Sequence, residues 1–391
     1  MNSASACRQD TTCADSPVTP LQGLQRLGSK TVAPMTSSEP VSLSDVLHEV
    51  PRLWDFIDGK GHRVLLGTSS KVRKHACELV TKIRPSSYEQ PPDISHLTSS
   101  RWTQLQVLDV SGSYMDPHQT AQLSSGAWPH LRSLTLARGR PLMWTCNENV
   151  FREFKGKWPL LESLIIVFNK VDIAQVKALT EIEWPNLKTL CVEPDSDAIQ
   201  ALMQGKWPQL RDLSLGNGLS DDGLQHFSEC RRSTLERLQL LHCEMTTRTM
   251  GCIVEAQFSL LGELSLVNVA VQYEDRAGWF TLLAQGRWPL LSTLELEIVD
   301  GFSGCVEILA SANWTCLQTV ILDLCDISAA DETAVVEAAW SNIKHLTMAG
   351  CFENVQVLRR LYMRKWPLLE YLTLGASPEY FSNISDMARI L

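Results

Sequence analysis

Apolar residues return at fixed distances behind a series of tryptophans. With Trp102 as offset zero, Leu105, Leu108 and Val110 occupy offsets three, six and eight, and Leu131, Leu134 and Leu136 do the same behind Trp128. The triplet recurs as Leu161, Leu164 and Ile166 behind Trp158, Leu187, Leu190 and Val192 behind Trp184, and Leu210, Leu213 and Leu215 behind Trp207. Further on come Leu291, Leu294 and Leu296 behind Trp288, Leu317, Val320 and Leu322 behind Trp314, Ile343, Leu346 and Met348 behind Trp340, and Leu369, Leu372 and Leu374 behind Trp366. Two copies lack the tryptophan: Leu235, Leu238 and Leu240 follow Arg232, and Leu261, Leu264 and Leu266 follow Phe258. Successive anchors stand 26, 30, 26, 23, 25, 26, 30, 26, 26 and 26 residues apart, a period too regular to arise by chance.

Alternation across offsets six to eight is the period of a strand, so Leu134 and Leu136 face inward while Thr135 faces out. Between the strands, Ile173, Val176, Leu179 and Thr180, and again Val355, Val357, Leu358 and Leu361, recur at helical spacing. Each unit is therefore a strand followed by a helix. One unit alone cannot bury both apolar faces; stacked neighbours make a continuous core. The Trp-Pro pair of six units suits the end of a helix, since proline cannot continue it. Large rings are usually buried, so the tryptophans read as an internal spine in preference to a ligand-stacking ladder.

The phrase matches the L-x-x-L-x-L-x-x-N/C unit of roughly 20–29 residues, and the chain resembles the leucine-rich repeats. Offset eleven, where Asn or Cys bonds the turning backbone, holds Asn169, Cys243, Cys325 and Cys351, with Ser113 and Ser377 as weaker substitutes. Gly139, Gly218, Val269 and Val299 depart from it. The cysteine-containing variety of 26 residues is the most similar, with Trp-Pro in place of Cys-Pro and Asp222-Gly223-Leu224 at one helix start. This resemblance implies an α/β leucine-rich-repeat solenoid over 101–391, with about eleven repeats. It would be a curved horseshoe with parallel strands on its concave face and helices on its convex face.

The first hundred residues differ in kind. Residues 1–41, rich in Ser, Thr, Pro and Ala, are expected to form a disordered tail, because they have too few large apolar groups to offset the entropy of ordering. From there Leu43, Val46, Leu47, Val50, Leu53, Phe56 and Ile57 fall at helical intervals, followed by Val64-Leu65-Leu66 and then Val72, Ala76, Leu79 and Val80 beside Lys71, Arg73, Lys74 and His75. These predict a small helical module over 42–84, with 85–100 as a linker or irregular first repeat. The order of features resembles an F-box. That resemblance implies docking on a cullin-RING ubiquitin-ligase adaptor through Leu43, Val46, Leu47, Leu53, Phe56 and Ile57, while the repeats present a substrate. Leu43-Ser44 stands where that family has Leu-Pro, and no Trp follows the basic cluster. An equally weighted reading makes these helices a cap over the first repeat's apolar end.

Composition narrows the function classes. The net charge is −9, which argues against nonspecific nucleic-acid binding. Met1–Pro20 has no apolar signal core and no 18-residue apolar run occurs, so no membrane association is expected and the chain is placed in the cytoplasm or nucleus. Twelve cysteines without a C-x-x-C pair read as reduced thiols. Nucleotide-loop, dinucleotide, zinc-protease and serine-hydrolase motifs are absent, and the nine histidines do not cluster. No catalytic residue, cofactor or metal site is therefore expected.

What remains is recognition. Eleven strands spaced roughly 4.8 Å apart would form an arc of about 48 Å, a span suited to a protein partner. Offsets five, seven and nine would line it. Ser133, Thr135, Ser163, Ile165 and Val167 make a neutral to apolar strip, and Glu263, Glu295, Glu297 and Asp323, with Arg237 beside them, an acidic stretch. The acidic stretch reads either as a solvated face or as a docking patch for a basic partner. Two spacers, Ala137–Lys157 and Val267–Arg287, are four residues longer than those of the 26-residue units, which an added helical turn or a projecting loop would explain.

Overall fold

The computed structural model describes residues 80–84, 97–98, 102–111, 117–137, 149–216, 218–229, 234–256, 258–299, 304–324, 329–338, 340–349 and 366–375. Among the described residues, thirteen strands form one sheet in which every pairing is parallel. In chain order they are β1 Lys82–Ile83, β2 Val107–Asp109, β3 Ser133–Ala137, β4 Ser163–Val171, β5 Thr189–Pro194, β6 Asp212–Leu215, β7 Arg237–Leu241, β8 Glu244–Met245, β9 Glu263–Val271, β10 Thr293–Val299, β11 Thr319–Leu324, β12 His345–Ala349 and β13 Tyr371–Gly375. The ladder follows sequence order throughout, with β8 as a side pairing on the end of β9.

The register superposes equivalent offsets of neighbouring units. Offset six becomes one inward row: Ile83, Leu108, Leu134, Leu164, Leu190, Leu213, Leu238, Leu264, Leu294, Val320 and Leu346, all buried, with Leu372 partly buried at its end. Offset three forms a second buried row from Val80 and Leu105 to Ile343. This is a leucine-rich-repeat solenoid.

The sheet begins one rung earlier than the repeat phrase. β1 pairs Lys82 with Val107 and Ile83 with Leu108, so the last residues of the segment expected to be helical are a strand. Val80 and Ile83 take the offset-three and offset-six places, but Pro85 occupies offset eight and no tryptophan marks the anchor. Leu43, Val46, Leu47, Leu53, Phe56 and Ile57 lie outside the described residues, as does the whole of 1–79.

Between strands run α1 Pro117–Ser124, α2 Asn149–Glu153, α3 Ile173–Thr180, α4 Ile199–Met203, α5 Asp221–Leu224, α6 Thr247–Glu255, α7 Arg276–Ala284, α8 Cys305–Ala310 and α9 Ala329–Glu337. In α3, Val176 and Leu179 are buried while Ile173 is exposed at the first turn. Asp172 caps α3 reciprocally: its Oδ1 accepts from the Gln175 amide at 2.8 Å, and Gln175 Oε1 accepts from the Asp172 amide at 3.0 Å. Neighbouring units also cap one another. Asp221 Oδ1 accepts from the amide and hydroxyl of Thr246, the residue that opens α6, and the buried Asp331 of α9 accepts from the Gly304 and Val306 amides at the start of α8.

The long spacer Val267–Arg287 contains a 3-10 turn at Tyr273–Asp275 running into α7, so its helical part is one turn longer than α6. The other long spacer includes 138–148, which lie outside the described residues. Among the described residues no helix is long and apolar enough to cross a membrane.

The described tryptophans line the interior. Trp102, Trp128, Trp158, Trp184, Trp207, Trp288, Trp314, Trp340 and Trp366 are all buried. Trp128 stacks on Trp158 at a centroid distance of 5.9 Å, and Trp288 on Trp314 at 6.4 Å. Each Trp carbonyl accepts from the amide three residues on, as in Leu161 to Trp158 at 2.9 Å and Leu210 to Trp207 at 3.1 Å. The anchor is thus position i of a β-turn, and its proline fills position i+1, where a fixed φ favours the turn.

Candidate functional site

The candidate recognition face is the outward side of the strand ladder, where the described residues at offsets five, seven and nine are exposed or half-buried, apart from the buried Gly216 and Ser265. Every strand delivers these side chains in the same register, so chemistry on this face is organised as rows running across repeats. At offset four, one carbonyl accepts two amides of the next unit, as Arg132 does from Glu162 at 2.7 Å and Ser163 at 2.9 Å. That double acceptance recurs from Thr81 to Lys344 and holds the start of each strand in step.

The offset-four row is charged and largely self-neutralised. Glu162 accepts from both Arg132 and Lys188, the latter at 2.7 Å, and these two cations hold its carboxyl below the ordinary value, Lys188 more than Arg132. Arg211 pairs with Glu236 at 2.8 Å. At offset five, Arg237 bonds Glu263 at 2.6 Å and lies 3.5 Å from Asp212, whose carboxylate also accepts from the Thr189 hydroxyl at 3.0 Å. The Glu263 hydrogen bond is the main reason the Arg237 guanidinium is held above its usual value.

The residues expected to form the acidic stretch therefore separate into two sets. Glu263 belongs to the Asp212–Arg237–Glu263 row and is neutralised there. Glu295, at offset seven, accepts from the Ser265 hydroxyl at 2.6 Å, which ends a polar row running from Ser214 through Gln239. Glu297 and Asp323 stand opposite each other in the β10–β11 register, Glu297 half-buried and Asp323 exposed. Among the described residues neither has an ion-pair partner. Glu297 and Asp323 thus bring two carboxylates together on adjacent strands with no cation among the described residues to compensate them.

Ile165 and Val167 lie on β4, both half-buried, with Thr135 opposite Ile165 on one side and Cys191 on the other. Burial raises the Cys191 thiol, which keeps it neutral and makes this part of the face a weakly polar strip. The buried thiols Cys243 and Cys305 are each pushed up to about 12 by burial. Cys243 also fills the offset-eleven role expected of it, its thiol donating to the Leu241 carbonyl at 3.2 Å. Among the described residues no group of three His, Cys, Asp or Glu could hold a metal ion.

One feature of the face was not evident in the sequence. His345 and Tyr371 are offset-five neighbours on β12 and β13, and their rings stack at 4.8 Å and 16°. His345 reads in sequence as a solvated repeat-surface side chain, and Tyr371 carries no motif. Only the one-to-one register, with both residues at offset five, would have placed them together.

No protein-family model and no curated protein matches the chain. Solved structures do. Rad7, from the Rad7–Elc1 complex of yeast, is similar at 15% identity over 86% of this chain and 94% of that one, with a TM-score of 0.44. An internalin, InlF of Listeria monocytogenes, gives 13% identity over 79% and 77%, with a TM-score of 0.45. TLR13, from a complex with a single-stranded RNA, gives 15% identity and a TM-score of 0.40 over 80% of this chain, which spans 37% of the TLR13 chain. At such scores these likenesses carry no functional weight, and the repeat fold stands on the register and core described above.

Proposed function

We propose that this chain is a non-catalytic protein-recognition solenoid, and that its strand face binds a partner through the β10–β11 carboxylates and the half-buried Ile165–Val167 strip. The observation that carries this reading is selective neutralisation. Glu162, Asp212, Glu236 and Glu263 are all compensated by cations of neighbouring rungs, whereas Glu297 and Asp323 are not. Like charges directly opposite each other oppose strand pairing, so a fold that leaves them in place gains from a cation supplied by another molecule. The partner is accordingly a basic protein surface, in preference to the polyanionic backbone of a nucleic acid. Replacing Glu295, Glu297 and Asp323 with Lys in the full chain should leave the melting transition in place and abolish retention of its cellular partners, read by quantitative mass spectrometry. Charge reversals at Lys177 and Glu181, on the helix side, should retain them. Equal retention by both variants would refute the reading.

The narrower role within this reading is that of a ubiquitin-ligase substrate-recognition subunit. It is supported by the F-box-like order of residues 42–84, and it predicts that Asp substitutions at Leu43, Leu47 and Phe56 release a cullin-associated adaptor from the full chain while strand-face partners stay bound. The competing role is a free-standing scaffold whose N-terminal helices cap the solenoid. Under it, the same substitutions release nothing and lower the melting temperature.

A further inference from the structure

Two features of the strand face lie on opposite sides of one small area. On one side are Glu297 and Asp323, in register and without a cation among the described residues. On the other is the His345–Tyr371 stack, in which Tyr371 remains 64% exposed although aromatic rings of its size are normally covered. Between them the register runs from Asp323 to Ala349 and Gly375 along offset nine, and from Ile321 to Thr347 and Thr373 along offset seven. By sequence these are small or β-branched residues, and none is charged. The area is therefore a low shelf with carboxylates at one end and an open aromatic ring at the other.

We propose that this shelf binds an extended segment carrying two arginines, one bridging Glu297 and Asp323 and the other lying on Tyr371. The proposal deepens the recognition role argued above and rests on it. Two carboxylates held on adjacent strands, roughly 4.8 Å apart at the backbone, match the fork of a guanidinium, which bonds both at once, whereas an ammonium acts as a point charge. A guanidinium also stacks on an aromatic face, and stacking against His345 holds the Tyr371 ring in place to receive it. Glu370 adds a carboxylate at the aromatic end, its Oε2 lying 4.0 Å from His345 Nε2. From Asp323 to Tyr371 is two strand spacings across and four residues along, about 16 Å between Cα positions. An extended chain covers that distance in about five residues. The bound segment thus carries arginines about five residues apart and nothing bulky between them.

The test uses the full chain and fluorescence anisotropy with labelled twelve-residue peptides built of Gly and Ser. One has Arg at positions four and nine, a second has Arg at four and six, and a third has Lys at four and nine. The first should bind most tightly, with the other two weaker by about fivefold or more. Tyr371→Ala should weaken the first peptide by a similar factor, and Tyr371→Phe, which keeps the ring, should stay within about twofold of the parent. Glu297→Gln with Asp323→Asn should remove most of the binding. No binding of the first peptide, or binding indifferent to spacing and to Arg against Lys, overturns the proposal. So does an unchanged affinity in Tyr371→Ala alongside a loss in the carboxylate variant, an outcome that leaves the broader acidic-face reading standing. That broader reading falls separately, if lysine reversal of Glu295, Glu297 and Asp323 spares the cellular partners.

Discussion

The indole rings of Trp128, Trp207 and Trp288 fit only because the residue two places ahead of each has no side chain. A Cβ on Gly205 would lie 2.6 Å from the Trp207 ring, and Gly126 and Gly286 stand in the same relation to Trp128 and Trp288. Gly205→Ala should therefore destabilise the chain by about 1–3 kcal/mol, the usual cost of overfilling a packed interior, measured as a lowered denaturant midpoint. A Gly205→Ala, Trp207→Leu double variant should recover part of that loss if the ring is the obstacle. The leucine triplets were legible in the sequence because each is a local pattern. This glycine notch was not, since glycine has many uses and only the folded turn shows which one applies. A second residue-scale contact was equally hidden: Phe227 meets the Phe258 ring edge-on at 6.4 Å.

Single elements of this fold depend on groups that lie outside them. Helix α8 opens on Gly304, held in the left-handed region at φ 92, and has no capping side chain of its own. Asp331 supplies it, accepting from Gly304 at 2.6 Å and Val306 at 2.8 Å from within the next helix. Asp331→Ala should cost about 1–3 kcal/mol, because it leaves buried amides without acceptors. Hydrogen exchange should show the loss first in α8, about 25 residues away in sequence, and uniform protection there would contradict the assignment. At the start of the strands, Glu162 offers a test by pH. Its folded value lies below the ordinary 4.5, so the stabilisation it brings is fully present above that pH and fades as the pH falls through the folded value. The melting difference between the parent and Glu162→Gln should accordingly shrink on acidification. The pair is exposed enough that the difference will be small even near neutrality. The strands behind the tryptophans and helix α3 were readable from periodicity alone, while the second helical run, Val355 to Leu361, lies outside the described residues. The first rung was not readable, because β1 lacks a tryptophan and has proline where the third apolar residue belongs.

At the scale of the whole molecule, each unit leans on the two beside it, so stability is a sum of neighbour terms and opening can start at an end. Cys243 and Cys305, both pushed up to about 12 and buried, cannot react while their units are closed. Thiol labelling mapped by mass spectrometry thus reports local opening. Leu346→Ala, in the buried row of β12, should remove about 2–5 kcal/mol and speed labelling of Cys305 more than that of Cys243. Equal acceleration would mean that the solenoid opens as one block. The candidate site was legible in part at this scale. Its location on the outward strand face follows from alternation, and four acidic residues were in view. Which of them remain unpaired depends on what stands opposite: Arg237 meets Glu263 at the same offset, while Glu297 meets Asp323.

The cap that Asp331 lends to α8 also governs where the chain can be cut. A shortened version ending after β11 would contain every residue of α8, yet the amides that open it would lose their carboxylate. The smallest fragment able to keep that helix must extend through α9, one unit beyond the boundary that the tryptophan spacing alone would recommend.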